Sequence, residues 1–114
     1  MLTDYPRYAA YHLLLQTIGA LMRADGQRGI PAYAAAEATL VRAIVGAERY
    51  TDGLPLIDVL ASLSDRQLTA WIPRFEGMCA YASALADYRE ARRLDQARRT
   101  LRRSLWAGLA RFTR

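Results

Sequence analysis

The stretch 88-YREARRLDQARRTLRRSLWAGLARFTR-114 decides how the chain is read. It holds no proline, and its apolar residues recur at steps of three and four, the period of a helix rather than a strand. With Leu94 as origin and about 100° per residue, Leu94, Ala97, Leu101, Leu105, Gly108, Leu109 and Phe112 fall within roughly 60° of one line. Arg89, Arg92, Arg93, Arg99, Arg103, Arg111 and Arg114 take the opposite half, while Arg98 and Arg102 flank the apolar stripe. The segment therefore reads as one amphipathic helix, with a dry seam for a bundle core and a concentrated positive face.

Charge is distributed unevenly. This segment carries nine arginines against two acids, Glu90 and Asp95, a net of +7; residues 1–88 carry seven arginines against nine acids, a net of −2. Lysine and asparagine are absent throughout, as in a high-GC coding bias, so the use of arginine as such says little and its clustering says more. Like charges three or four residues apart on a helix repel by a few tenths of a kcal/mol each, and a merely solvated helix mixes signs instead. An anionic partner offsets that repulsion. The simplest is a nucleic-acid backbone, whose neutralised phosphates release counterions. Candidate contacts are Arg89, Arg92, Arg93, Arg99, Arg102, Arg103 and Arg111, with Trp106 at the border of the basic face as a stacking surface for an unpaired base.

Working outward from this segment, the rest of the chain also reads as helix. Asp4 is a candidate N-cap, and Pro6 suits the first turn of a helix over about 5–24 that stops at Asp25-Gly26. Tyr8, Tyr11, Leu15, Ile18 and Met22 form its stripe, widened by Leu14 and Leu21, with Tyr5 sealing an edge. Pro31 opens a second helix, roughly 31–50, ending at Asp52-Gly53. The run Ala34-Ala35-Ala36 lets a neighbouring helix approach closely. A short third helix spans about 55–63, and Ser64-Asp65-Arg66-Gln67 reads as a capping box for a fourth. Pro73 predicts a kink or a fresh start, and a further break near 92–95 keeps the last helix to an ordinary length. The expected fold is all-α, one domain over 1–114, a bundle of five or six helices with a long basic amphipathic helix at its C-terminal end.

Other chemistry finds little support. His12 and Cys79 are the only members of their kind, so no metal site or internal disulfide is expected. A nucleophilic Cys79–His12 pair is outweighed by a small buried cysteine among alanines. Asp87 and Glu90 lie beside Arg89, Arg92 and Arg93, which would pair with them, and Gly26 and Gly29 lack the lysine of a phosphate loop. Tyr5, Tyr8 and Tyr11 around Arg7 can grip a single strand, but Tyr8 and Tyr11 read more simply as inward packing. No catalysis, cofactor or metal is expected. The single cysteine and the absence of a signal-like or spanning apolar run point to a soluble cytoplasmic protein without membrane contact.

Helices 1 and 2 carry few charges for surfaces left in water, which points to contact with other protein subunits or a second copy. In size, helical class and basic face the chain resembles the small subunits of CRISPR effector complexes, which pack along the guide–target path. That resemblance is one of architecture, and it implies sequence-independent, non-enzymatic binding of RNA or DNA as part of a ribonucleoprotein complex. The alternative is a protein-interaction module or inhibitor whose arginine face meets an acidic protein.

Overall fold

The computed structural model describes residues 5–112, with side chains through Arg111. Within them lie α1 (Tyr5–Asp25), α2 (Ile30–Val45), α3 (Leu56–Ser62) and α4 (Asp65–Phe112), and no strand. The proposed cap Asp4 falls outside the described residues. The all-α reading holds, with a correction from five or six helices to four.

The correction comes from α4, which runs unbroken for 48 residues. Pro73 lies inside it on the exposed side. Its missing donor frees the carbonyl of Thr69, which is itself exposed, so water can satisfy that group and the helix continues. Nor does α4 break at residues 92–95, where no glycine or proline favours an interruption.

The start of α4 follows the sequence closely. Ser64 N–H donates to Gln67 Oε1 at 2.9 Å and Gln67 N–H donates to Ser64 Oγ at 3.2 Å, a reciprocal capping box. The end of α1 is equally well specified. Gly26 N–H donates to Arg23 O at 3.1 Å and Gln27 N–H to Met22 O at 3.0 Å, with Gly26 at φ 64°. This is a Schellman ending, and glycine adopts its positive φ without a steric penalty. By contrast α2 stops at Gly46, well before the expected Asp52-Gly53. Gly46 takes φ 87° and ψ 154° while its N–H still donates to Arg42 O. A backbone turned that way cannot continue the helix, although the apolar pattern does.

α1 and α4 run parallel, since Arg7 meets Asp65, Gln16 meets Cys79 and Asp25 meets Arg89. The buried face of α1 is Ala10, Leu14, Thr17, Ile18, Ala20 and Ala24; α4 contributes Leu68, Phe75, Ala82 and Ala86. Small residues on both helices allow close approach, and that choice displaces the tyrosine stripe. Tyr8, expected inside, is 71% exposed, Tyr5 is 70% exposed, and Tyr11 is half-buried. Leu40 and Val41 of α2 and Leu56, Val59 and Leu60 of α3 close the core. Glu37 accepts a hydrogen bond from Leu56 N–H at 3.2 Å, tying α2 to the otherwise uncapped start of α3. Arg7 fastens α1 to the α3–α4 joint through Leu60 O at 3.2 Å, Leu63 O, and Asp65 at 3.1 Å.

The consequence for function is geometric. α1 ends at Asp25, opposite Arg89 and Arg93, yet α4 continues to Phe112. No residue of 91–111 is buried. The long axis measures 74 Å and the radius of gyration is 20.4 Å, against about 13 Å for a compact chain of this length. The bundle ends, and the last five turns of α4 project from it.

Candidate nucleic-acid interface

The projecting half of α4 displays three separate lines. The bundle-facing line is marked by Leu68, Phe75, Ala82 and Ala86, all buried. Continued outward at about 100° per residue, it passes through Arg93, Ala97, Thr100, Ser104 and Arg111. That line has lost its apolar character. The leucine seam of Leu94, Leu101 and Leu105 is turned from it by roughly 100°. The seam is therefore not a continuation of the core, contrary to the expectation that the bundle requires it. Leu94, Leu101 and Leu105 are 60%, 61% and 59% exposed.

The third line faces away from the bundle and holds Tyr81, Tyr88, Arg92, Arg99, Arg102, Arg103 and Trp106. These fall within roughly 50° of one direction. Tyr81, Tyr88 and Trp106 are 70%, 61% and 71% exposed. The Arg92 guanidinium lies over the Tyr88 ring, 5.9 Å from its centroid. From Tyr81 to Trp106 the stripe is about 38 Å long. Tyr81 and Tyr88 lie before the arginine cluster that marks this face in the sequence, and the same helical period carried two turns toward the N-terminus brings both onto it.

The eight predicted contacts divide into two groups. Arg92, Arg99, Arg102, Arg103 and Trp106 share the outward stripe. Arg92, Asp95, Gln96, Arg99, Thr100 and Arg103 enclose a shallow polar recess of about 330 Å³. Arg99 is held by Asp95 at 3.1 Å, an i,i+4 pair, whereas Arg102, Arg103 and Arg98 have no carboxylate partner among the described residues.

Arg89 and Arg93 are engaged elsewhere. Arg89 donates to Asp25 at 3.1 Å and to Ala24 O at 3.5 Å; Arg93 donates to Arg23 O at 2.9 Å and Ala24 O at 3.3 Å. Both lie at the C-terminal end of α1, where cations hydrogen-bond the last carbonyls and interact favourably with the negative end of the helix dipole. Arg111 belongs to the bundle-facing line, away from the stripe. Asp87 and Glu90 pair with Arg23, each at 3.4 Å, rather than with their neighbours on α4. That pairing leaves Arg92 free of them.

The remaining candidates assemble no reactive group. His12 Nε2 lies 3.4 Å from Gln16 Nε2, and Cys79 Sγ lies 3.9 Å from Gln16 Oε1, so glutamine separates the two. His12 also stacks on Tyr8, with ring centroids 6.4 Å apart and planes 4° apart. The described residues contain no group of three or more metal-binding side chains. Burial, Glu37 and Tyr11 raise the Tyr33 phenol above its ordinary pKa, but it belongs to α2, away from the basic stripe. Among the described residues, no helix is long and apolar enough to cross a membrane.

No protein-family model, no curated protein and no solved structure matches this chain.

Proposed function

We propose that the projecting half of α4 binds the backbone of a nucleic acid without reading its sequence, and that the chain acts non-enzymatically as a small helical subunit of a larger nucleoprotein assembly. The observation that carries this is the outward stripe. Arginines, of which Arg102 and Arg103 have no carboxylate partner among the described residues, alternate there with exposed aromatic rings, on a helix whose fold does not need them. Arginine pairs with phosphate through two parallel donors, and an exposed ring offers a face to any base. Since a base must leave its stack to lie on a ring, the stripe suits a single strand better than a duplex. The proposed contacts are Arg92, Arg99, Arg102, Arg103 and Trp106, joined by Tyr81 and Tyr88.

Fluorescence anisotropy with labelled single-stranded RNA, single-stranded DNA and duplex DNA across a salt series tests the reading. Neutralising about six phosphates gives a log K against log salt slope of about −4 on single strands and about −5 on duplex. Arg99→Glu with Arg103→Glu abolishes binding, and Trp106→Ala weakens single-strand binding by about 1–3 kcal/mol. Failure of all three probes to bind at low salt rejects the proposal and favours an acidic protein as the partner of the arginine face.

A further inference from the structure

We infer that the projecting helix of one molecule docks through its leucine seam into the cleft between α1 and α2 of a second copy. Three leucines spaced over about 17 Å stand in water along one side of a helix. Such a ridge costs free energy until something apolar covers it. The molecule's own bundle cannot cover it. The seam is turned roughly 100° from the bundle line, and α4 is one continuous helix that does not fold back.

Charge selects among the arrangements open to a second copy. Residues 91–111 hold seven arginines and one aspartate, a net of +6. Pairing two projecting helices along their seams would bring +6 against +6. Residues 5–90 hold eight arginines and nine carboxylates, a net of −1. Contact between the projecting helix and the bundle of a neighbour is therefore favoured over contact between two projecting helices.

The bundle also offers a receiving surface. A cleft of about 610 Å³ between the end of α1 and the start of α2 is lined by Leu21, Met22, Pro31, Ala32, Ala35 and Ala36, and Asp25 is the one charged residue at its edge. The alanines recur one turn apart and let an incoming helix approach to the near end of the 8–10 Å packing range. Leu101 and Leu105 are likewise one turn apart, so the ridge of one surface matches the groove of the other. The seam and the cleft are different surfaces of the same molecule, so the contact is heterologous and repeats into a linear array. The arginine stripe points away from the seam and stays open along that array. This inference concerns the free protein and holds whether or not nucleic acid binds.

Sedimentation velocity of the full chain over a concentration series, without nucleic acid, tests it. Two variants block one surface each: Leu101→Asp with Leu105→Asp on the seam, and Ala35→Arg in the cleft. All three positions are exposed, and circular dichroism checks that both variants keep their helix content. The wild-type chain is expected to grow in mass with concentration, and each variant to remain a monomer. An equimolar mixture of the two variants retains one intact seam and one intact cleft, so it should form a 1:1 dimer and nothing larger. A wild-type chain that stays monomeric at every concentration overturns the inference. So does a mixture that remains monomeric, or an Ala35→Arg chain that associates as wild type does.

Discussion

The two halves of α4 share one helix and live in different surroundings. From Asp65 to Glu90 the helix is held by burial: Leu68, Phe75, Ala82 and Ala86 pack on α1. From Ala91 to Arg111 nothing is buried, and the helix rests on the intrinsic preference of alanine, leucine, arginine and glutamine for that conformation. Opposing it are the like-charged pairs Arg98–Arg102 and Arg99–Arg103 at i,i+4, each unfavourable by a few tenths of a kcal/mol. Packing fixes where the first half lies. The second half is held in place by the first and leaves its side chains uncommitted. A surface of that kind can take on binding residues at little cost to the fold.

The sharpest way to break this contrast is to remove one large side chain from each half. Phe75→Ala deletes a fully buried ring and should destabilise the protein by about 3–5 kcal/mol. Leu101→Ala removes an exposed side chain and should stay within about 0.5 kcal/mol of wild type. Urea denaturation followed by circular dichroism, at concentrations too low for association, measures both. Comparable losses would mean that the outer half folds as part of the same unit as the bundle.

The same contrast explains what was legible in the sequence. Local signals are legible where the chain itself supplies both partners close in sequence: the Ser64–Gln67 capping box and the Asp25-Gly26 ending of α1. Periodicity identified the helices but not which face is buried. Tyr8 and Ala10 both fit an inward face, yet Ala10 is fully buried and Tyr8 exposed, a choice that tertiary packing makes and the helical period alone does not carry. The leucine seam failed for a related reason. A stripe at steps of three and four reports an amphipathic helix, while the line along which α4 meets α1 is a tertiary fact, and it lies roughly 100° from the leucines. The dual position of the arginines was hidden likewise, because Arg89 and Arg93 are recruited by carbonyls some 65–70 residues earlier in the chain.

Arg89 and Arg93 stand at the boundary between the halves, and they offer a finer test. Hydrogen exchange of the dilute monomer should show slow amides in α4 up to about Arg93 and fast exchange beyond it. Replacing both arginines by alanine removes the cations at the end of α1 and should cost about 1 kcal/mol, a modest figure because both side chains remain partly in water. The exchange boundary should then retreat toward Leu85. A boundary that stays at Arg93 in the variant would assign the junction to Phe75 and the alanines alone.

The smallest expected effect separates the halves most cleanly, because the chemistry is identical on both sides. Gly77 lies in the packed half and Gly108 in the projecting half; both are helical, and a Cβ built on either meets nothing within 4 Å. Alanine at either position lowers the entropy lost on forming helix by about 0.5–1 kcal/mol. At Gly77 that gain enters the cooperative unfolding of the bundle, so Gly77→Ala should raise the urea midpoint. At Gly108 the gain is local: Gly108→Ala should leave the midpoint unchanged while slowing exchange of the amides around Leu105–Leu109. A midpoint raised equally by both would couple the projecting helix to the bundle. Measured on the dilute monomer, such coupling would lie within the chain itself, whereas at concentrations where the seam docks on a second copy it is the expected result.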